Sequence, residues 1–107
     1  MAILAIVERQ RRATEAGDLD LLLQDVAPEL HEAVRTSFHE MARSAREIRS
    51  KVTRVGVELA GADSAKVAFH TLLTGVRIKD GRAVTIYDGQ VVWRVERRAG
   101  RWLICEM

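Results

Sequence analysis

The residues able to move protons or hold a metal ion are few, and their spacing limits what they can do. His31 and His39 lie eight positions apart in a segment with helical patterning. That separation is two helical turns, too far for both rings to share one ion, and neither an HxxxH nor a CxxC spacing occurs. His70 follows Phe69 in a strand-patterned segment and points to the opposite face from it. All three histidines therefore read as surface or rim residues. No glycine-rich phosphate loop is present either, so the sequence predicts no metal site and no cofactor. Cys105, the single cysteine, has no histidine near it in sequence and reads as a small buried hydrophobe.

Asp88 and Arg94 are the remaining candidates. They share one face of a strand with Ile86, Gln90, Val92 and Glu96. This mixed face reads as solvated or interfacial, with Ile86, Asp88, Gln90, Val92 and Arg94 as candidate contact residues. The opposite face carries Tyr87, Gly89, Val91, Trp93 and Val95 and reads as core or pocket wall. Phe38 and Met41 on the long helix, with Phe69, Tyr87 and Trp93 on the sheet, form a candidate ligand pocket. Such a pocket is apolar with one hydroxyl and suits a flat hydrophobic ligand. The competing expectation is that these side chains meet and fill the space, because a chain of 107 residues has little core to spare.

These side chains need elements to position them. Residues 3–16 carry apolar side chains at spacings of three and four and predict a first helix, which Gly17 ends. Asp18 is the N-cap of a short leucine-rich helix from Leu19 to about Val26, and Pro28 breaks it. Residues 29–49 predict the long helix, with Leu30, Val34, Phe38, Met41, Ala42, Ala45 and Ile48 on one stripe. From Lys51 the period becomes two. Strands are predicted at Val52–Leu59, Ala65–Ile78, Arg82–Arg97 and Arg101–Glu106, the second and third joined by an Asp80-Gly81 hairpin turn. Gly89 within the third strand predicts a bulge or bend. Helices followed by strands give a segregated α+β fold, with N-terminal helices on a curved, mainly antiparallel sheet of four or more strands.

Composition bounds the rest. The chain, 48% hydrophobic and 30% charged, has the make-up of a globular protein, and residues 1–107 are expected to form one domain. A net charge of +2 is too balanced to call for nucleic acid. The basic run Arg43, Arg46, Arg49, Lys51 and Arg54 is interrupted by Glu47 and has no interleaved aromatic platform, so it reads as a solvated face. The apolar run Met1–Val7 precedes Arg9, Arg11 and Arg12, the reverse order of a secretory signal, and no apolar run is long enough to span a bilayer. A cytoplasmic location without membrane insertion is expected.

Two stretches carry a resemblance. Glu15-Ala16-Gly17-Asp18-Leu19-Asp20, continued by Leu21-Leu22-Leu23 and Ala27-Pro28-Glu29-Leu30, resembles the helical entry of the nuclear transport factor 2-like superfamily. Trp93-Arg94-Val95-Glu96 with Gly100-Arg101-Trp102-Leu103 resembles its final hairpin, and the pattern is similar to that of small bacterial members. The resemblance implies a cone-shaped α+β scaffold, one that hosts ketosteroid isomerases, epoxide hydrolases, polyketide cyclases, transport factors and binding modules. Aligned on Gly17-Asp18-Leu19-Asp20, the isomerase tyrosine falls at Gln10, the base near Val34 and the second acid near Val91, with Glu32 the one nearby substitute. The hydrolase Asp-Arg-Asp set is met only by Asp88 and Arg94, on the mixed face. The expected function is thus a noncatalytic binding or dimerisation module, a homodimer whose cone holds a small apolar ligand. The alternative is a small-molecule isomerase, hydrolase or polyketide-cyclase-like enzyme with a nonstandard site, and a protein-interaction module comes third.

Overall fold

The computed structural model describes residues 2–107. Helix α1 spans Ala2–Ala16 and buries Ile3, Ile6, Val7, Gln10 and Ala13, the three-and-four spacing of one face. Gly17, at φ +66°, supplies the left-handed residue that ends it. Helix α2 spans Leu19–Gln24, and the Leu21 amide donates to the Asp18 carboxylate at 3.0 Å, as an N-cap should. The chain then leaves the helix two residues earlier than the sequence predicts. Val26 forms an isolated parallel bridge with Ile104, with Ala27 N–H on Ile104 O and Ile104 N–H on Asp25 O, each at 2.8 Å. Backbone pairing with the last strand takes this segment out of the helix. A 3-10 turn at Pro28–Leu30 leads into α3, His31–Ser44.

Helix α3 also ends sooner than its apolar stripe predicts. Strand β1 runs Ala45–Leu59, so Ala45 and Ile48 belong to the sheet and not to the long helix. Strand β2, Ser64–Arg77, is long enough to pair with all of β1, from Ala45 opposite Arg77 to Leu59 opposite Ala65. That ladder outweighs a helical propensity that is weak in any case. Two bulges interrupt it, with Glu47 at φ 52° and Arg54 at φ 57°. They bend the strand and curve the sheet.

Strands β3 (Ala83–Arg98) and β4 (Arg101–Glu106) complete an antiparallel sheet in the order β1-β2-β3-β4. The bulge between β2 and β3 lies at Leu73/Thr74, opposite Thr85 and Tyr87, and not at Gly89. Gly89 pairs regularly with Thr71, and the glycine is there for a close approach. A Cβ at that position would stand 3.0 Å from the Tyr87 hydroxyl oxygen, because the tyrosine ring folds back over it.

The core sits between α1 and the inner sheet face. Ile3, Ile6 and Val7 meet Val67 and Phe69 of β2, Trp93 and Val95 of β3, and Ile104 of β4. Trp93 is 5% exposed and stands edge-on to Phe69, with ring centroids 4.7 Å apart. The helix that covers it is therefore α1. Helix α3 has no buried residue and only leans on this core through half-buried Val34, beside Leu30 of the 3-10 turn. Its Phe38 and Met41 are left at an opening. Among the described residues, no helix is long and apolar enough to cross a membrane.

Candidate functional site

The gap between α3 and the sheet is a cavity of two adjoining lobes. The inner lobe, about 290 Å³, lies over Phe69, Thr71, Val91 and Trp93 and is bounded by Gln10 and Ser50. The outer lobe, about 480 Å³, runs under α3 along Leu30, Val34, Ser37, Phe38 and Met41. Thr14, Leu22, Val34, Leu73 and Met107 line both, which makes the lobes continuous. The cone is open, and it has the size and apolar lining of a small-molecule site.

Its polar groups include Gln10, Arg11 and Thr14 of α1. The Gln10 side chain is 6% exposed, and its Nε2 donates to Leu22 O at 2.7 Å. Its Oε1 accepts no bond among the described residues. No side-chain polar atom there is both occluded and unpartnered, so this oxygen is not sealed off, and Gln10 is a residue of the inner-lobe wall. Arg11 reaches the same wall but its charge is committed. Its guanidinium donates to Glu8 at 2.7 and 3.0 Å and to Glu15 at 3.0 Å. Hydrogen bonding to Arg11 holds the Glu8 carboxyl down at about 2, and the same contact raises the Arg11 pKa. Glu15 Oε2 accepts the Ser50 backbone N–H at 2.8 Å while its Oε1 accepts from Arg11, so this carboxylate, outside the lining of either lobe, is held beside two residues of the inner wall. Ser50 lies on β1, an edge strand, so this bond also satisfies an amide that no neighbouring strand can reach.

The five candidate pocket residues divide. Phe38 and Met41 line the outer lobe, and Phe69 and Trp93 form the floor of the inner one. Tyr87 lines neither; its hydroxyl donates to Gln90 O at 2.9 Å, and it remains 45% exposed.

The outer sheet face carries Asp88, Gln90, Val92 and Arg94, with no helix over it. Arg94 is spent on Glu96 and Glu106, and Val92 is 42% exposed. Ile86 departs from this row, because it sits in the β3 bulge with Cδ1 beside Ile48 over Gly75. The structure adds one pair to this face that strand spacing alone missed. His70 Nε2 lies 2.7 Å from Asp88 Oδ1 across β2 and β3, opposite in direction to Phe69 and hence outside the cone. Only the register, with His70 opposite Gln90, brings the two together. His31 is occupied elsewhere, its Nε2–H donating to Val26 O at 2.8 Å, and His39 stands edge-on to Phe38. Cys105 is buried, its thiol donates to Arg94 O at 3.3 Å, and desolvation raises its pKa, as an inert thiol requires.

Gln10 in the cavity wall, and Glu15 bonded to Ser50 beside it, are residues that sequence reasoning missed in these roles. The available signal was Gln10's place on the buried stripe of α1, where a polar residue must have a partner.

The family described as the SnoaL-like domain matches residues 14–107. No curated protein matches the chain. Among solved structures, the chain is similar to a protein provisionally named an aromatic ring hydroxylase from Novosphingobium aromaticivorans, at 22% identity and a TM-score of 0.84, covering 96% of this chain and 81% of that one. It is similar to a type 2 hexachlorocyclohexane dehydrochlorinase, LinA, at 16% identity and a TM-score of 0.84, covering 96% and 78%. A nuclear transport factor 2-like superfamily protein from Salmonella enterica aligns at 14% identity and a TM-score of 0.79, covering 95% and 82%. These likenesses establish the curved α+β cone. They also correct the expectation of a noncatalytic binding or dimerisation module, because neighbours on this scaffold carry enzyme names.

Proposed function

The chain belongs to the SnoaL-like domain family, within the nuclear transport factor 2-like superfamily, and from that premise we propose that it is a small-molecule enzyme of the isomerase, hydrolase or cyclase type. The observation that carries this reading is the open apolar cavity, beside which two residues of its inner wall, Ser50 through its N–H and Arg11, hold the carboxylate of Glu15. A carboxylate so placed can take a proton from a carbon next to a carbonyl. The C–H electron pair moves onto the carbonyl oxygen, and the proton returns from Glu15 to the same carbon or to a conjugated one. Val34, Phe38, Met41 and Trp93 supply apolar walls for the substrate's carbon skeleton. His70 and Asp88 lie on the other side of the sheet and take no part.

The test is solvent exchange. Cyclic ketones and enones, with and without a ring hydroxyl, are incubated with the protein in D2O, and carbon-bound deuterium is followed by NMR. Protein-dependent exchange is expected for at least one compound. Glu15→Gln keeps the shape and an acceptor for Ser50, and should slow exchange by on the order of 10²-fold or more, the usual scale for loss of a general base. Exchange that survives Glu15→Gln unchanged, or exchange with no compound at all, overturns the proposal.

The outer face supports a second copy of the chain as partner. An uncovered sheet face with exposed Val92 beside Asp88, Gln90 and Arg94 suits isologous pairing about a two-fold axis. Light scattering at high micromolar concentration is expected to return the mass of a dimer. A monomer mass there removes this interface.

A further inference from the structure

We infer that the inner lobe selects an uncharged ring compound that donates a hydrogen bond, through a hydroxyl or N–H, to Gln10 Oε1. The inference rests on the reading of the cavity as a small-molecule site and adds the chemistry of the molecule that fits it.

Three observations carry it. Gln10 is buried in the wall, and its orientation is fixed, because Nε2 is committed to Leu22 O. The oxygen is thus the side-chain atom of this wall residue left free to accept, and it is an acceptor only. Among the described residues the one cation on the wall, Arg11, is matched by two carboxylates, so it offers no charge to balance an anionic ligand. The remaining surface of the inner lobe is mainly apolar, with Phe69 and Trp93 edge-on to each other at its floor. An anion would meet a lone oxygen acceptor in a site with no free cation, and a cation would meet apolar walls. A wholly apolar ring would leave the Gln10 oxygen desolvated, which costs about 1–3 kcal/mol. A neutral ring with one donor satisfies the Gln10 oxygen without needing a charge to balance it.

The experiment compares 2-naphthol with 2-methoxynaphthalene, which has the same ring and no donor, by isothermal titration calorimetry. Wild type is expected to bind the naphthol about tenfold more tightly, the worth of one net hydrogen bond. Gln10→Leu should bind both alike. Because Gln10 also holds Leu22 O, a second variant guards against misfolding. Gln10→Glu in its protonated form, below pH 5, keeps both an acceptor and a donor and should retain the preference. Equal binding of the two probes to wild type, or a preference that persists in a folded Gln10→Leu, overturns the inference while leaving the cavity reading in place. Binding of neither probe overturns both.

Discussion

Trp93→Ala is expected to destabilise the fold by about 3–5 kcal/mol, the range for truncating a large buried aromatic. The side chain is 5% exposed and packed edge-on against Phe69. Its strand is held in register on the β2 side, where Trp93 itself lies opposite Val67 and Val91 opposite Phe69. That ladder leaves the backbone little freedom to collapse into the space vacated. The lost volume also opens directly into the inner lobe, so the neighbouring side chains lose contacts without gaining new ones. Truncations on α3 give the contrast. Phe38→Ala and Met41→Ala should each cost less than about 1.5 kcal/mol, because α3 buries no residue and both side chains already face open space. Urea unfolding of the three variants measures this. A Trp93→Ala loss under about 1 kcal/mol, or larger losses on α3 than on β3, would mean that the load-carrying helix is α3 after all.

Much of the fold was legible because local chemistry agreed with the final architecture. Gly17 and Asp18 end one helix and cap the next, and the change of period near Lys51 marks the sheet. The junction at Ser44 and Ala45 was hidden, because Ala45 and Ile48 continue a three-and-four spacing that only the ladder to β2 overrides. Trp93 was assigned to the core-facing side of its strand and grouped with Phe38 and Met41 of the long helix, whereas the helix that buries it is α1. Strand alternation says which side a residue faces and nothing about which helix arrives there. The candidate base was obscured for a different reason. Glu15 sits in a charged run with Glu8, Arg9, Arg11 and Arg12 that reads as solvated, yet its decisive contact, Ser50, is 35 positions away. The same holds for Arg98, whose two bonds to Glu29, at 2.8 and 2.9 Å, join the last hairpin to the 3-10 turn, with Arg98 holding the Glu29 carboxyl at about 2. Function was misread because the familiar catalytic positions hold Gln10, Val34 and Val91. A scaffold can keep its cavity while moving the groups that act in it.

Arg9→Met should lower stability by about 3 kcal/mol, the low end of the range for breaking a buried ion pair. Arg9 Nε and Nη2 hold the two carboxylate oxygens of Asp25 at 2.7 and 3.0 Å. The two partners are unequally placed: the Asp25 side chain is 3% exposed and that of Arg9 is 38% exposed. Removing the arginine therefore strands a carboxylate that water reaches poorly, while the arginine itself loses little by returning to solvent. The position magnifies the effect. Asp25 follows α2, and its backbone oxygen accepts Ile104 N–H at 2.8 Å, so a displaced Asp25 also loosens the contact between the helical layer and β4. The double variant Arg9→Met, Asp25→Leu separates charge from packing. If the single-variant loss comes from a stranded carboxylate, the double variant should recover more than half of it, because apolar replacements of both partners restore a neutral interior. Thermal unfolding of both variants decides. Equal losses in the single and double variants would assign the stabilisation to the packing of the arginine stem across Asp25, and the ion pair would then be incidental.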